Sequence, residues 1–306
     1  MTTDIISQYK GIYIAMYSAY DEAGNVDQDR VKKLARYYVG KGVKGLYVGG
    51  SSGEGILQNA EERKQVLEAV MEEVKGELTI IVHVGANSTR EAVELSKHAE
   101  KFGADIISAV PSIYYRLPEA AVEKHWQHMI DSTNLPFIIY NIPQTTGFTL
   151  STSLLAKLAK QDKVIGVKMS GESTFELQQY KETGGSQFLV FNGPDEQFLA
   201  GRIMGADGGI GGTYGVMPEL FVKLNSLFIG NHIEEAQALQ TQINGIIKKL
   251  LGYPSLYGAC KYILSLRGIE TGAPRLPLLP VCPEHHDSLA ELNKEIEETV
   301  AHYTGV

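Results

Sequence analysis

Short apolar runs alternate along this chain with longer amphipathic stretches. The runs are IYIAMY from Ile12, GLYVGG from Gly45, TIIVHVG from Thr79 and DIISAV from Asp105, then PFIIYNI from Pro136, VIGVKMS from Val164, FLVFNG from Phe188 and GGIGGT from Gly208. Half of them end in Gly or Ser, residues of turns. Between them, apolar residues recur at spacings of three and four, as in Val31-Leu34-Ala35-Tyr38, Val66-Ala69-Val70, Ala92-Leu95-Ala99 and Leu154-Leu158. That spacing predicts helices with one buried face. Continuous apolar strands alternating with helices indicate a parallel sheet covered on both faces. Eight such units predict an α/β fold, a (β/α)8 TIM barrel. A doubly wound sheet is the alternative. It usually carries a Gly-rich phosphate turn after its first strand, and SAYDEAG is not such a turn.

Beyond the eighth run the pattern is helical only, over 218–228, 233–251, 255–266 and 285–303. This predicts a barrel core over 1–216, with its eighth helix continuing to about 229, and a C-terminal helical extension over 230–306 packed on the barrel. The βα unit is the only repeat.

In a barrel of this kind the catalytic groups stand at the C-terminal ends of strands. Strand two ends in GGSSGEG (49–55), strand five in YNIPQTTG (140–147), strand seven in NGPDE (192–196) and strand eight in GGTYG (211–215), while strand six carries Lys168 and Ser170. Lys168 is the residue that stands out. An ammonium is costly to bury, and burial favours the neutral amine, a nucleophile able to form a Schiff base with a carbonyl. The alternative is a strand-end lysine whose ammonium reaches water. Alternation puts Ile165, Val167 and Met169 on one face of strand six, and Gly166, Lys168 and Ser170 on the other. The apolar face is expected to meet the helices, so Lys168 points into the barrel. Tyr140 shares a face with Ile138 and Ile142 and is expected to point inward one strand away.

Each remaining segment has a plain reading beside a functional one. GGSSGE is either an ordinary glycine-rich turn or a nest of N–H and hydroxyl groups suited to a carboxylate. Tyr140 is either a core aromatic or a proton-transfer group. Asp195 and Glu196 are either a solvated helix start or ligands for a polar substrate. Their conjunction at strand ends favours the functional reading. No metal motif is visible: His83 stands alone, His125 and His128 lie in a helix, and His285 and His286 lie in the extension.

Composition narrows the classes. The chain has 306 residues, with 43% hydrophobic and 21% charged, ordinary values for a globular protein. A net charge of −8 argues against a nucleic-acid binder. Cys260 and Cys282 make no metal or CxxC spacing, which predicts reduced thiols. The N-terminal MTTDIISQYKG shows no secretion signal, and no apolar run approaches the ~18 residues of a membrane helix. A soluble cytoplasmic protein is expected.

The combination GGSSGE, YNIPxxxG, GVKxSG and GADGGIGGTY resembles the pyruvate-dependent class I aldolase family of dihydrodipicolinate synthase and N-acetylneuraminate lyase, from about Gly11 to the C-terminal helices. The resemblance implies that Lys168 is the Schiff-base lysine for the keto group of pyruvate or a longer 2-keto acid, and that Tyr140 is its proton shuttle. Ser51 and Ser52 match the hydroxyl pair that binds the pyruvyl carboxylate, with Ser52 where Thr is more usual. Tyr114 matches a tyrosine that reaches a neighbouring subunit's site in this tetrameric family. Within the family, the synthases carry an arginine where this chain has Thr145, which lacks the charge to bind their second substrate. Lyases carry an apolar leucine there, so Thr145 departs from both. NGPDE is similar to the lyase segment that binds the polyhydroxyl tail of a sugar acid, which implies roles for Gly193, Asp195 and Glu196. Ser170 matches a lyase threonine, and Gly211 falls in the substrate-binding segment. A lyase serine beside it is Gly212 here. The implied activity is metal-independent cleavage of N-acetylneuraminate to pyruvate and N-acetylmannosamine through a covalent Schiff base, with no separate cofactor, in a homotetramer. The alternatives are another 2-keto acid aldolase, then dihydrodipicolinate synthase, and from a different class a non-catalytic pyruvate-binding barrel.

Overall fold

The computed structural model describes residues 6–305, so the first five residues of the segment read for a secretion signal lie outside the described residues. The strands are β1 (Gly11–Ala15), β2 (Gly45–Val48), β3 (Thr79–His83), β4 (Ile106–Ala109), β5 (Phe137–Asn141), β6 (Val164–Met169), β7 (Leu189–Asn192) and β8 (Gly208–Gly211). They follow one another as a closed barrel in chain order, and each falls within one of the apolar runs, except that β1 begins one residue before its run, at Gly11. The fold is therefore the predicted TIM barrel with C-terminal helices.

The helices are α1 (Gln28–Tyr38), α2 (Ala60–Val74), α3 (Thr89–Phe102), α4 (Glu119–Ser132), α5 (Pro143–Thr146), α6 (Thr152–Leu158), α7 (Thr174–Gly184) and α8 (Phe198–Ile203), followed by α9 (Pro218–Ile229), α10 (Ile233–Leu251), α11 (Leu256–Leu266) and α12 (His286–Thr304). The last four coincide with the predicted helical segments to within a residue or so at each end. Local chemistry sets several boundaries. Asp27, Ser88, Ser151, Ser173 and Ser255 each accept a backbone N–H at a helix start, and Asn59 with Glu62 forms a reciprocal capping box on α2. Gly103 ends α3 at φ 85°, a left-handed conformation that glycine adopts without a Cβ penalty.

The chain packs as two compact units. The first comprises Thr79–Ile210 with the segment ending at Gly11. Its strands β3 to β7 pair in parallel, and Ile106, Ile107, Phe137, Ile138, Ile139 and Val167 are fully buried. Trp126 of α4 is also fully buried and meets Phe148 edge-on at 5.9 Å. Buried Asp207 ties this unit's strands together. Its carboxylate accepts from Val190 N at 3.0 Å and pairs with Lys181 of α7 at 2.7 Å and with Lys10 at 3.2 Å. His125 of α4 shares a hydrogen bond with Thr89 at 2.9 Å; burial, then the neighbouring His128, holds its ring below the usual imidazole range. That is a packing role.

The second unit comprises Ile12–Leu78 and the chain from Gly211 onward. β1 and β2 pair in parallel within it, with Ile14 beside Leu46. Tyr214 stacks on Phe221 of α9 at 3.7 Å, and Arg267, just past α11, donates to Val216 O at 2.7 Å. Cys260 is buried on α11 and Cys282 is exposed. Among the described residues, no helix is long and apolar enough to cross a membrane.

The tightest backbone approach in the first unit is at Gly208, where an added Cβ would fall on the carbonyl of Gly11. Gly208→Ala is expected to destabilise the protein by about 1–3 kcal/mol, the usual cost of overpacking. Urea unfolding checks this, with a lowered midpoint at unchanged slope as the expected result.

Candidate active site

β5 and β6 are parallel neighbours, and their register places Tyr140 beside Lys168 and Asn141 beside Met169. Alternation then sends these two pairs to opposite faces. The Asn141–Met169 face meets the helices. Asn141 Nδ2 donates to the Tyr180 hydroxyl of α7 at 3.2 Å, and Asn141 Oδ1 accepts from Leu150 N at 3.1 Å. Tyr180 in turn donates to Leu150 O at 2.6 Å. Its burial, with Glu176 beside it, pushes its ionisation far above the ordinary phenol value. It therefore stays neutral, accepting from Asn141 while it donates to Leu150 O.

Tyr140 and Lys168 occupy the opposite face, as expected. They are only 3% and 5% exposed. The Lys168 ammonium lies 4.2 Å from the centroid of the Tyr140 ring, where the π-face offers a cation partial compensation for lost water. Gly166, on the same face of β6, leaves no bulk beside the lysine, and a Cβ there would meet Leu189 O at 2.6 Å.

His83 at the end of β3 was read from the sequence as an isolated histidine. It packs its ring edge-on against Tyr140 at 6.1 Å, and its Nε2 accepts from Val110 N at 3.2 Å. That hydrogen bond makes Nε2 an acceptor, so the ring proton sits on Nδ1 in the neutral form. The available signal was its position at a strand end, which the isolated spacing masked.

The segment after β7 closes on the end of β6. Gly193 N donates to Met169 O at 2.7 Å, extending the ladder by one step. A Cβ at Gly193 would collide with Ser170 Oγ, so glycine there is required by close approach. Ser170 and Gly193 are thus brought together. Asp195 and Glu196 begin a short 3-10 turn (Asp195–Gln197), Asp195 buried and Glu196 exposed. Thr145 is exposed in α5, its hydroxyl 3.4 Å from Ile142 O. Tyr114 lies in the segment between β4 and α4, 89% exposed, at φ 81°. A tyrosine in that left-handed region is strained, and such strain gathers at functional segments.

In the second unit the GGSSGE turn is a compact knot. Ser52 is buried and Ser51 exposed. Glu54 N donates to Ser51 O at 3.0 Å and Gly55 N to Gly50 O at 3.1 Å. A Cβ at Gly53 would sit 2.9 Å from Met16 O, and one at Gly50 2.6 Å from the Tyr47 ring. The glycines are therefore packing requirements as well as turn formers. Gly211 ends β8, and Gly212 follows it beside this turn, where an added Cβ would lie 2.7 Å from Ser52 Oγ. Tyr17, which the sequence reading did not single out, donates its hydroxyl to Gly212 O at 2.5 Å. Glu54 was read only as part of a glycine-rich motif. It is 1% exposed, adopts φ 54°, and is bound from behind by Lys261 and Arg275.

Residues 8–296 match the dihydrodipicolinate synthetase family. The chain is 44% identical over 289 residues to the N-acetylneuraminate lyase of Mediterraneibacter gnavus, covering 94% of this chain and 92% of that protein. A solved sialic acid aldolase of Ruminococcus gnavus, a catalytic-lysine mutant, superposes with a TM-score of 0.96 at 42% identity, covering 97% of this chain and 99% of that one. A Clostridium difficile protein solved in complex with mannosamine gives 0.87 at 32% identity, covering 96% and 99% of the two chains.

Proposed function

The chain belongs to the dihydrodipicolinate synthetase family, and from that premise we propose that it is a Schiff-base aldolase that cleaves N-acetylneuraminate to pyruvate and N-acetylmannosamine. The observation that carries this reading is the buried pair of Lys168 and Tyr140 on neighbouring strands, in a chain whose relatives at 33–44% identity are N-acetylneuraminate lyases. The mannosamine complex of the Clostridium difficile relative supports a sugar-sized substrate.

In this mechanism Lys168, in its amine form, adds to the C2 keto carbon of the open-chain sugar acid, and water leaves to give an iminium. Tyr140 takes the proton of the C4 hydroxyl as the C3–C4 bond breaks. The bonding pair moves into the iminium, which becomes an enamine, and N-acetylmannosamine leaves as the aldehyde. Protonation at C3 and addition of water then release pyruvate and restore the amine. Ser51 and Ser52 hold the carboxylate through hydroxyl and backbone donors. Ser170, Gly193, Asp195, Glu196 and Gly211 contact the polyol, whose hydroxyls suit carboxylate acceptors. His83 supports the ring of Tyr140 from the side. Tyr114 serves a neighbouring subunit's site in a homotetramer, in the cytoplasm. A second reading, another 2-keto acid aldolase, rests on Thr145 and Gly212, where this chain departs from the lyase pattern. Neutral Thr145 disfavours the synthase.

Wild type is expected to release pyruvate from N-acetylneuraminate and to gain a pyruvate adduct on borohydride treatment, and Lys168→Ala to do neither. Wild-type turnover in Lys168→Ala refutes the mechanism. A trapped adduct without pyruvate release moves the assignment to the second reading. Tyr140→Phe keeps the aromatic face under the ammonium and removes only the hydroxyl. Its kcat is expected to fall by about 10²–10⁴-fold, the usual range for a lost proton-transfer group. A fall below tenfold in steady-state kinetics rules out Tyr140 as the shuttle.

A further inference from the structure

Behind the Ser51–Ser52 turn lies a buried charged cluster that the mechanism above does not use. Glu54 closes the turn. Its Oε1 pairs with Lys261 Nζ on α11 at 2.5 Å, and its Oε2 accepts from Arg275 N at 2.7 Å. Both side chains are sealed from solvent, at 0% for Glu54 and 2% for Lys261. Lys261 also donates to Ala273 O at 3.4 Å. Burial pushes its ammonium below the ordinary lysine value, and Glu54 opposes that shift. Removing either partner would strand the other charge away from water.

Arg275 extends the cluster. Its guanidinium holds Glu62 with two bonds, at 2.5 and 2.8 Å, and donates to Gly24 O and to Leu57 O at 3.1 Å. Glu62 is the residue that completes the capping box of α2. The ring of Tyr20 has Lys261 Nζ and Arg275 Cζ each 4.5 Å from its centroid. The Tyr20 hydroxyl accepts from Gln58 Nε2 at 2.8 Å, and Gln58 also donates to Ser18 Oγ, which donates to Gly53 O at 2.6 Å. Burial and the charge of Glu54 push the Tyr20 phenol up to about 12, so it stays neutral. Apart from those to Gly24 O and Ala273 O, each of these bonds has an end on the turn, on α2 or on the segment that joins them. Glu54 needs the anchorage, because a non-glycine residue at φ 54° persists only where its surroundings hold it.

We propose that Lys261 and Arg275 are positioning residues for substrate: through Glu54 they hold the Ser51–Ser52 turn in the shape that captures the 2-keto acid carboxylate. The C-terminal helices thereby take part in binding without touching the substrate. The proposal rests on the assignment of Ser51 and Ser52 to that carboxylate. It separates two effects. Loss of the anchor loosens carboxylate capture, while the Lys168–Tyr140 chemistry on the other unit keeps its own supports.

The test titrates pyruvate in borohydride trapping on the full chain, read by intact mass, with lyase kinetics and thermal unfolding measured alongside. Lys261→Met, Glu54→Gln and Arg275→Gln are compared with the double variant Glu54→Gln/Lys261→Met, which leaves no stranded charge and guards against a failure to fold. The pyruvate concentration for half-maximal trapping is expected to rise about tenfold or more in the double variant, equivalent to about 1.4 kcal/mol of lost binding. KM for N-acetylneuraminate rises with it, while kcat falls by less than about threefold, the signature of lost binding common to ground and transition states. Arg275→Gln shifts both in the same direction by a smaller factor. A folded double variant with wild-type half-saturation overturns the proposal and leaves the aldolase reading intact. Wild type that traps no pyruvate at any concentration overturns both. A variant set that loses melting temperature with KM unchanged assigns the cluster to stability alone and also overturns it.

Discussion

A lysine buried on an inner strand of a parallel sheet is the constraint around which this molecule is arranged. An ammonium at that depth is costly unless it is compensated, and the register sets Tyr140 on one side of Lys168 and Phe191 on the other. What the neighbouring strand offers is the face of Tyr140 at 4.2 Å. A cation–π contact compensates for lost hydration only in part. The same register that supplies the ring also sends Asn141 and Met169 outward to Tyr180, so the strand pair is locked from its helix side. Orientation of the chemistry and anchoring of the sheet are thus two consequences of one alternation.

The two units solve the problem of buried polarity differently. Around Lys168 an aromatic face lies against the buried cation. Around Glu54 the polar groups are many and mutually bonded: two cations, a carboxylate, a phenol, an amide and a hydroxyl. Buried ion pairs seldom add much net stability, because desolvation offsets their attraction. What such a cluster contributes best is a single geometry. In the role proposed for it, the turn presents hydroxyl and N–H groups to a carboxylate, and that role depends on uniqueness more than on stability, because a displacement of an ångström at a binding group is felt in rate or affinity.

The barrel was legible in the sequence because parallel strands buried on both faces leave uninterrupted apolar runs, and because serine, asparagine and aspartate mark where helices begin. Lys168 was legible because it breaks such a run with a charge, and Tyr140 because alternation could be counted from Ile138. His83 was not, because one histidine at a strand end has no partner in the linear pattern; its partners, Tyr140 and Val110 N, belong to other strand ends. Glu54, Lys261 and Arg275 were missed for a related reason. Glu54 lies more than two hundred residues of chain from the other two, and each sits in a segment whose local pattern has a sufficient plain reading: a glycine turn, an amphipathic helix and a proline-rich connector. Polar contacts between distant segments leave no periodic trace, whereas burial of apolar residues does.

Gly212 shows how a departure from a family pattern can be misread as a simple loss. From the sequence it is the removal of a hydroxyl that a lyase would use. In the folded chain its Cα stands so close to Ser52 that any side chain there would press on Oγ, at 2.7 Å from the added Cβ. Ser52 is itself the smaller alternative at a position where threonine is more usual, and its neighbour's carbonyl already accepts a bond from Tyr17. The group at residue 52, the missing side chain at 212 and the tyrosine at 17 therefore form one packing solution rather than independent choices. A serine restored at 212 would have to displace Ser52 Oγ or turn away from it. The three positions are therefore coupled, and the effect of a substitution at one depends on the residues at the other two.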